Sequence, residues 1–175
     1  MESLEWYIIR ATGTVAYLLL YLAVLTGLFS MVQKKRKKKI NGLIHLHEAL
    51  SNWSLILTCG HLGILLIDSY FPFKLYEILV PFASGYEIIS MAMGSIAFYF
   101  LIITIFTSKF RKKIGYQRWR KFHSLNPILY ILVTFHGLLS GTDFPGTILA
   151  IVNIVPVLIM GVFFLSNREK LSEAH

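Results

Sequence analysis

Four histidines in this sequence have the spacing and surroundings of metal ligands held among apolar residues. His47 and His61 are fourteen residues apart in one apolar run, and His123 and His136 are thirteen apart in another. Fourteen residues make about four helical turns less roughly 40°, so His47 and His61 share one helix face, on the order of 20 Å apart. Ionisable side chains at membrane depth are costly and usually functional. Two such helices supply four axial ligands, the number that two six-coordinate haems require.

The apolar runs around these histidines indicate a membrane protein. The chain has 175 residues, of which 55% are hydrophobic, and its mean hydropathy is +0.63. Soluble domains rarely have such values, and apolar runs of about 20 residues are typical of membrane helices. The formal charge of +8 therefore indicates membrane orientation rather than nucleic-acid binding. The single cysteine, Cys59, excludes an internal disulfide and is interpreted as a packing residue.

The sequence predicts an all-α polytopic membrane helix bundle of about five transmembrane helices. The predicted spans are Trp6–Met31, Leu43–Asp68, Glu87–Thr107, Trp119–Ser140 and Gly146–Leu165. A short interfacial segment, Phe73–Leu79, is expected between two prolines that argue against one continuous helix. In the fourth span, thirteen residues fall about 140° short of four full turns, so a straight helix would point His123 and His136 in different directions. A bend between them is therefore required. Pro127 lies between its two histidines, so we expect a kink there.

Basic residues lie almost entirely on one side of this bundle. The loop after the first span holds six Lys and Arg, the loop after the third holds seven, and the C-terminal tail holds two. The positive-inside rule then places the N-terminus outside and the C-terminus in the cytoplasm. On that orientation His47 and His123, the inner pair, share a depth near the cytoplasmic face. His61 and His136, the outer pair, share a depth near the outer face, and each pair is predicted to hold one haem iron.

Other candidate residues have two interpretations each. Arg10 either extends to lipid phosphate or neutralises a haem propionate. His45 points about 160° away from His61 and is interpreted as an interfacial residue. Tyr130 either packs in the core or lies between the haems. The basic run 34–39 fixes topology and contacts anionic lipid, with docking of an acidic redox partner as an added role.

The sequence resembles the ferric reductase-like transmembrane domain family, which includes ferric reductases, NADPH oxidases and the haem membrane subunit of bacterial methionine-sulfoxide repair. The resemblance covers nearly the whole chain. It rests on His-x13-His in the second span and on Arg118-Trp119-Arg120-Lys121-Phe122-His123 followed by His-x12-His. It implies two b-type haems that relay electrons from a cytoplasmic flavin or quinol to an outer acceptor. The axial ligands that it implies are His47, His61, His123 and His136.

One departure from that family concerns the electron donor. Ferric reductases and NADPH oxidases continue into a domain that binds FAD and NAD(P)H, whereas this sequence has no Gly-rich dinucleotide motif after a strand. We therefore expect residues 1–175 to form a single haem domain of an oxidoreductase in the cell membrane. Its donor would be a separate flavoprotein reductase or quinol, and its acceptor an extracytoplasmic redox partner or small oxidant. Nucleic acid is not an expected partner.

Two other functions use the same residues differently. A small transporter or metal-ion channel would bind protons or Zn²⁺ with its intramembrane histidines, and it predicts histidines clustered at one depth. A membrane assembly subunit would use the histidines only for packing. Two depths with matched partners argue against the transporter and favour electron transfer. Bis-histidine iron has no open coordination site, so such haems pass electrons and do not bind oxygen directly.

Overall fold

A computed structural model describes residues 4–37, 39–69 and 72–141, together with residues 148, 152, 153, 156, 158 and 162. Every regular element in this part of the chain is an α-helix. The helices are α1 (Leu4–Lys35), α2 (Asn41–Ile67), α3 (Leu75–Leu79), α4 (Ile88–Lys109), α5 (Arg111–Ile114), α6 (Tyr116–His123) and α7 (Asn126–Ser140). The predicted all-α fold is therefore confirmed.

Four segments are long and apolar enough to cross a membrane. They are Leu4–Lys34, Asn41–Ile67, Ile88–Lys109 and Tyr116–Ser140. These segments match the first four predicted spans, so the chain is a multi-pass membrane protein. The short helix α3 occupies most of the predicted interfacial segment. The predicted fifth span and the tail lie outside the described residues, apart from the six isolated positions, which are helical where described.

The described helices pack mainly as two pairs, and many of their apolar side chains lie on the outside of the bundle. α1 runs along α2, and α4 runs along α7. Small and aliphatic side chains fill the centre: Leu20, Ala97, Leu101, Ile105 and Leu129 are all buried. Many large apolar side chains remain exposed, as is ordinary for a helix bundle that faces lipid rather than water.

A buried polar cluster joins the first span to the last described one. The Tyr17 hydroxyl donates to Asn153 Oδ1 at 2.6 Å and lies 3.2 Å from Thr134 Oγ1. The Tyr130 hydroxyl also donates to Asn153 Oδ1, and its ring stacks on Tyr17 with centroids 6.5 Å apart. Tyr130 is 0% exposed, so it is a core residue whose hydroxyl is satisfied within the bundle.

The fourth span is interrupted between its two histidines, as the spacing requires. α6 ends at His123 and α7 begins at Asn126, so the interruption lies at residues 124–125. Pro127 stands in the first turn of α7 rather than at the centre of a bend. A proline is tolerated there because its missing N–H would have no partner within the helix. In place of the kink expected at Pro127, the structure has a two-residue turn just before it, in which both residues keep right-handed helical backbone angles.

Candidate functional site

The inner pair comes together at the end of the bundle that carries the basic loops. His47 lies in the second turn of α2 and His123 is the last residue of α6. Their ring centroids are 6.2 Å apart, with planes at 70°. Metal–imidazole bonds are about 2.0–2.1 Å, so two rings on opposite sides of one metal ion have centroids about 6.3 Å apart. The separation of the His47 and His123 rings fits two imidazole ligands on opposite sides of one iron ion.

The outer pair lies at the opposite end of the bundle. His136 lies close enough to His61 to act on it electrostatically. His61 belongs to α2 and His136 to α7, so each pair joins the second span to the fourth. The four predicted ligands therefore lie at two levels of the bundle, with one histidine from each of the two spans at each level. A bis-histidine site of this kind needs no third protein ligand.

Three of the four rings are oriented by a backbone carbonyl of a neighbouring helix. His47 Nδ1 lies 2.8 Å from Ala23 O, and His61 Nδ1 lies 3.0 Å from Ile9 O, both on α1. His136 Nδ1 lies 2.9 Å from Ser90 O on α4. A carbonyl only accepts, so each Nδ1 carries the proton and donates it. Each Nε2 is then left unprotonated, which is the state that binds a metal.

A glycine follows each of these carbonyls by one helical turn and makes room for the ring. A Cβ at Gly13 would lie 3.1 Å from His61, one at Gly27 3.3 Å from His47, and one at Gly94 3.0 Å from His136. Carbon atoms in ordinary contact are about 3.5–4.0 Å apart. We call each carbonyl with its glycine a histidine seat. The seats consist of Ile9 with Gly13, Ala23 with Gly27, and Ser90 with Gly94.

His123 is oriented by side chains instead of a seat. Its ring stacks on Trp119, with centroids 4.9 Å apart and planes at 28°. Trp119 is fixed in turn, because its Nε1–H donates to Ser108 Oγ at 3.0 Å and the Arg111 guanidinium lies 5.0 Å from its centroid. The amide nitrogen of Asn126 is 3.3 Å from both ring nitrogens of His123. The inner pair thus connects through a tryptophan to the basic surface.

A hydrogen-bonded chain leads from the outer pair to an exposed carboxylate. Ser90 Oγ lies 3.2 Å from His136 Nδ1 and is also hydrogen-bonded to Ser140 Oγ. The Ser140 hydroxyl donates to Glu87 Oε2. The same carboxylate raises the pKa of the Tyr86 phenol beside it, mainly through its negative charge.

The remaining candidates have less specific surroundings. His45 is 80% exposed at its side chain and lies 4.0 Å from Glu48, which fits an interfacial residue. Arg10 is half-buried with its guanidinium 5.9 Å from the Trp6 centroid, and it directly follows the carbonyl that binds His61. Cys59 is exposed. Among the described residues, no group of three or more His, Cys, Asp or Glu side chains is placed to hold a metal ion.

Comparison with known families agrees with this arrangement. The family described as "Ferric reductase like transmembrane component" matches residues 12–134. The chain belongs to this ferric reductase-like family. The match covers most of the chain and includes His47, His61 and His123, and it ends two residues before His136. Membership supports an oxidoreductase-type function across the membrane. Neither the curated proteins nor the solved structures include a match to this chain.

The histidine seats and the chain to Glu87 were not predicted from the sequence. The sequence does contain one signal for the seats on α1. Gly13 and Gly27 are fourteen residues apart, which is also the spacing of His61 and His47. No comparable signal exists for Ser90, Ser140 and Glu87, because their proximity depends on the register between α4 and α7.

Proposed function

We propose that this protein carries electrons across the cell membrane through two b-type haems. The inner haem would be held by His47 and His123 and the outer haem by His61 and His136. The observation that carries the proposal is the 6.2 Å separation of the His47 and His123 rings, which suits two imidazoles on one iron. Bound haem would supply reversible one-electron chemistry, and the protein supplies ligation, spacing and a low dielectric.

The residues around the histidines have defined tasks in this proposal. The seats on α1 and α4 hold three Nδ1 protons, which leaves Nε2 of each neutral ring without a proton and available to iron. Hydrogen bonding at Nδ1 also raises the basicity of a ligating imidazole. Arg10 would neutralise a propionate of the outer haem, since it lies at the level of His61. The apolar faces of the spans exclude water from the pairs.

The donor and acceptor follow from the distribution of charge. We propose that a separate flavoprotein reductase or quinol delivers electrons at the basic end, which the positive-inside rule places in the cytoplasm. The exposed lysines and arginines there suit a negatively charged partner or lipid. The acceptor would receive electrons at the outer haem, either as a small oxidant or as an extracytoplasmic redox protein. With both axial positions filled, the acceptor would take electrons at the haem edge.

The decisive test is the visible spectrum of the purified full chain with its haem content. We expect reduced b-type bands and two haems per chain in a pyridine haemochrome assay. His61→Ala and His136→Ala should remove the same spectral component, and His47→Ala and His123→Ala the other, because each iron needs both ligands. His45→Ala is the matched control and should leave both components intact. A colourless protein would favour a histidine-dependent transporter or an assembly subunit.

A further inference from the structure

In the hydrogen-bonded chain at the outer pair, the carboxylate at one end sets the direction of donation. An ionised carboxylate only accepts hydrogen bonds, so the single Ser140 hydroxyl proton goes to Glu87. The bond between Ser140 and Ser90 then uses the Ser90 proton, which Ser140 Oγ shares with the backbone carbonyl of His136 at 3.2 Å. The Ser90 oxygen is left as an acceptor for His136 Nδ1–H, which it shares with the Ser90 carbonyl. The bonds that link His136 Nδ1 to Glu87 therefore run in one direction, from the imidazole through Ser90 and Ser140 to the carboxylate.

We propose that Glu87 is the positioning residue that sets the redox potential of the outer haem, through Ser140 and Ser90. This inference rests on the proposed function. A carboxylate linked to the distal nitrogen of a ligating imidazole makes the ligand more electron-rich and fixes its orientation. An electron-rich ligand favours ferric iron, and the negative charge itself opposes the uptake of an electron. Glu87 thereby lowers the potential of the outer haem and makes it a stronger reductant for the acceptor.

The placement of this chain limits the effect to one haem. Ser90 is 2% exposed, so its hydrogen bonds to His136 are shielded from water. Hydrogen bonds in such surroundings are electrostatically stronger than those in water. The seats of His47 and His61 lie on α1, and neither includes a bond to a carboxylate in the described residues. The Glu87 backbone has φ 39°, a left-handed conformation that L-residues rarely adopt, at the start of α4.

The test is a redox titration of the two spectral components in the full chain. Glu87→Gln preserves an acceptor for Ser140 and removes the charge. We expect the ratio of reduced to oxidised outer haem at a fixed potential to rise about threefold, equivalent to about 28 mV for a one-electron couple. The inner component should not move. Ser140→Ala, which retains the charge but breaks the chain, should shift the outer component in the same direction.

The matched control is Glu77→Gln, which removes one negative charge from the same end of the bundle. The Glu77 carboxylate accepts from the backbone N–H of Lys74 at 2.7 Å and caps α3. An unchanged outer potential in Glu87→Gln would overturn the inference, as would a shift of both components equal to that of Glu77→Gln. If Glu87→Gln fails to fold, an unchanged outer potential in Ser140→Ala overturns it equally. A wild-type chain without haem would instead refute the proposed function.

Discussion

Gly94→Ala is the sharpest test of the histidine seats, because it adds one methyl group against a ring. The new Cβ would lie 3.0 Å from His136 Cε1 and Nδ1. Ordinary contact starts at about 3.5 Å, so the ring must retreat by about 0.5 Å. Distances at a metal site are held within about 0.2 Å. The bond from Nδ1 to Ser90 O would also be disturbed.

The expected consequence is selective loss of the outer haem. Changes in the groups that orient a metal ligand typically lower metal affinity about 10–100-fold, which is about 1.4–2.8 kcal/mol. Alanine in a helix interior is about 0.8–1.0 kcal/mol more favourable than glycine, so the helix itself should not be weakened. Haem loss together with an intact or more stable helix would therefore identify the clash as the cause.

The assay compares the haem content and the two spectral components of purified variants over a haem titration. Gly137→Ala is the matched control, since it adds the same methyl group next to His136 at a position where no atom of the described residues lies within 4 Å. The series should be graded. Gly13→Ala, with a contact of 3.1 Å, should weaken the outer haem, and Gly27→Ala, at 3.3 Å, should weaken the inner haem least. A Gly94→Ala protein with both haems at wild-type affinity would refute the seat.

Three further predictions address other parts of the arrangement. Arg10→Gln should lower the potential of the outer haem, because a propionate loses its cation, and unchanged potentials in a redox titration would leave Arg10 with lipid contact alone. Trp119→Leu should alter the electron paramagnetic resonance signal of the inner haem only, since His123 loses its stacked ring. Trp119→Phe keeps an aromatic ring and should retain most of the wild-type signal. Identical signals in the wild type and both variants would contradict this prediction. A reporter fused to the C-terminus should give a cytoplasmic signal, and an outside signal would reverse the labels inner and outer.

Much of the fold could be predicted because membrane helices are specified locally. Uninterrupted apolar runs give the four described spans, and the lipid surroundings require every backbone group to be satisfied within its helix. The pairing of His47 with His123 followed from depth alone. The kink expected at Pro127 is instead a short turn before it, since a proline can either bend a helix or begin a new one.

The supporting residues could not be predicted, because they depend on contacts between helices rather than along them. Ser90 has the same apolar sequence surroundings as other serines in the chain, and only the rotation of α4 against α7 directs it to His136. Glu87 sits at a helix start, where an acidic residue is ordinary. Its bond to Ser140 joins residues more than fifty positions apart, and no local pattern encodes such a distance.

α1 carries no predicted haem ligand, yet its carbonyls and glycines orient one histidine of each pair. Gly13 and Gly27 are fourteen residues apart, as are His61 and His47 on the antiparallel α2. Two straight helices with equal spacings can satisfy both seats at once, because the same rise and rotation separate each pair of positions. One residue inserted between the two glycines would rotate one seat by about 100° relative to the other. The spacing of the two seats along the first span therefore matches the spacing of the two histidines on α2.

On α4, two contact positions are again fourteen residues apart, but the two histidines of the fourth span are thirteen residues apart. Gly94 seats His136, and Ser108, fourteen residues later, anchors Trp119 instead of a histidine. The ligands of the fourth span are only thirteen residues apart, so one continuous helix could not present both to α4 in the same way. Residues 124–125 separate α6 from α7, and Trp119, which is anchored to α4 through Ser108, contacts His123. The fourth span, with one residue fewer between its histidines, thus has His136 supported by a seat and His123 supported by side chains.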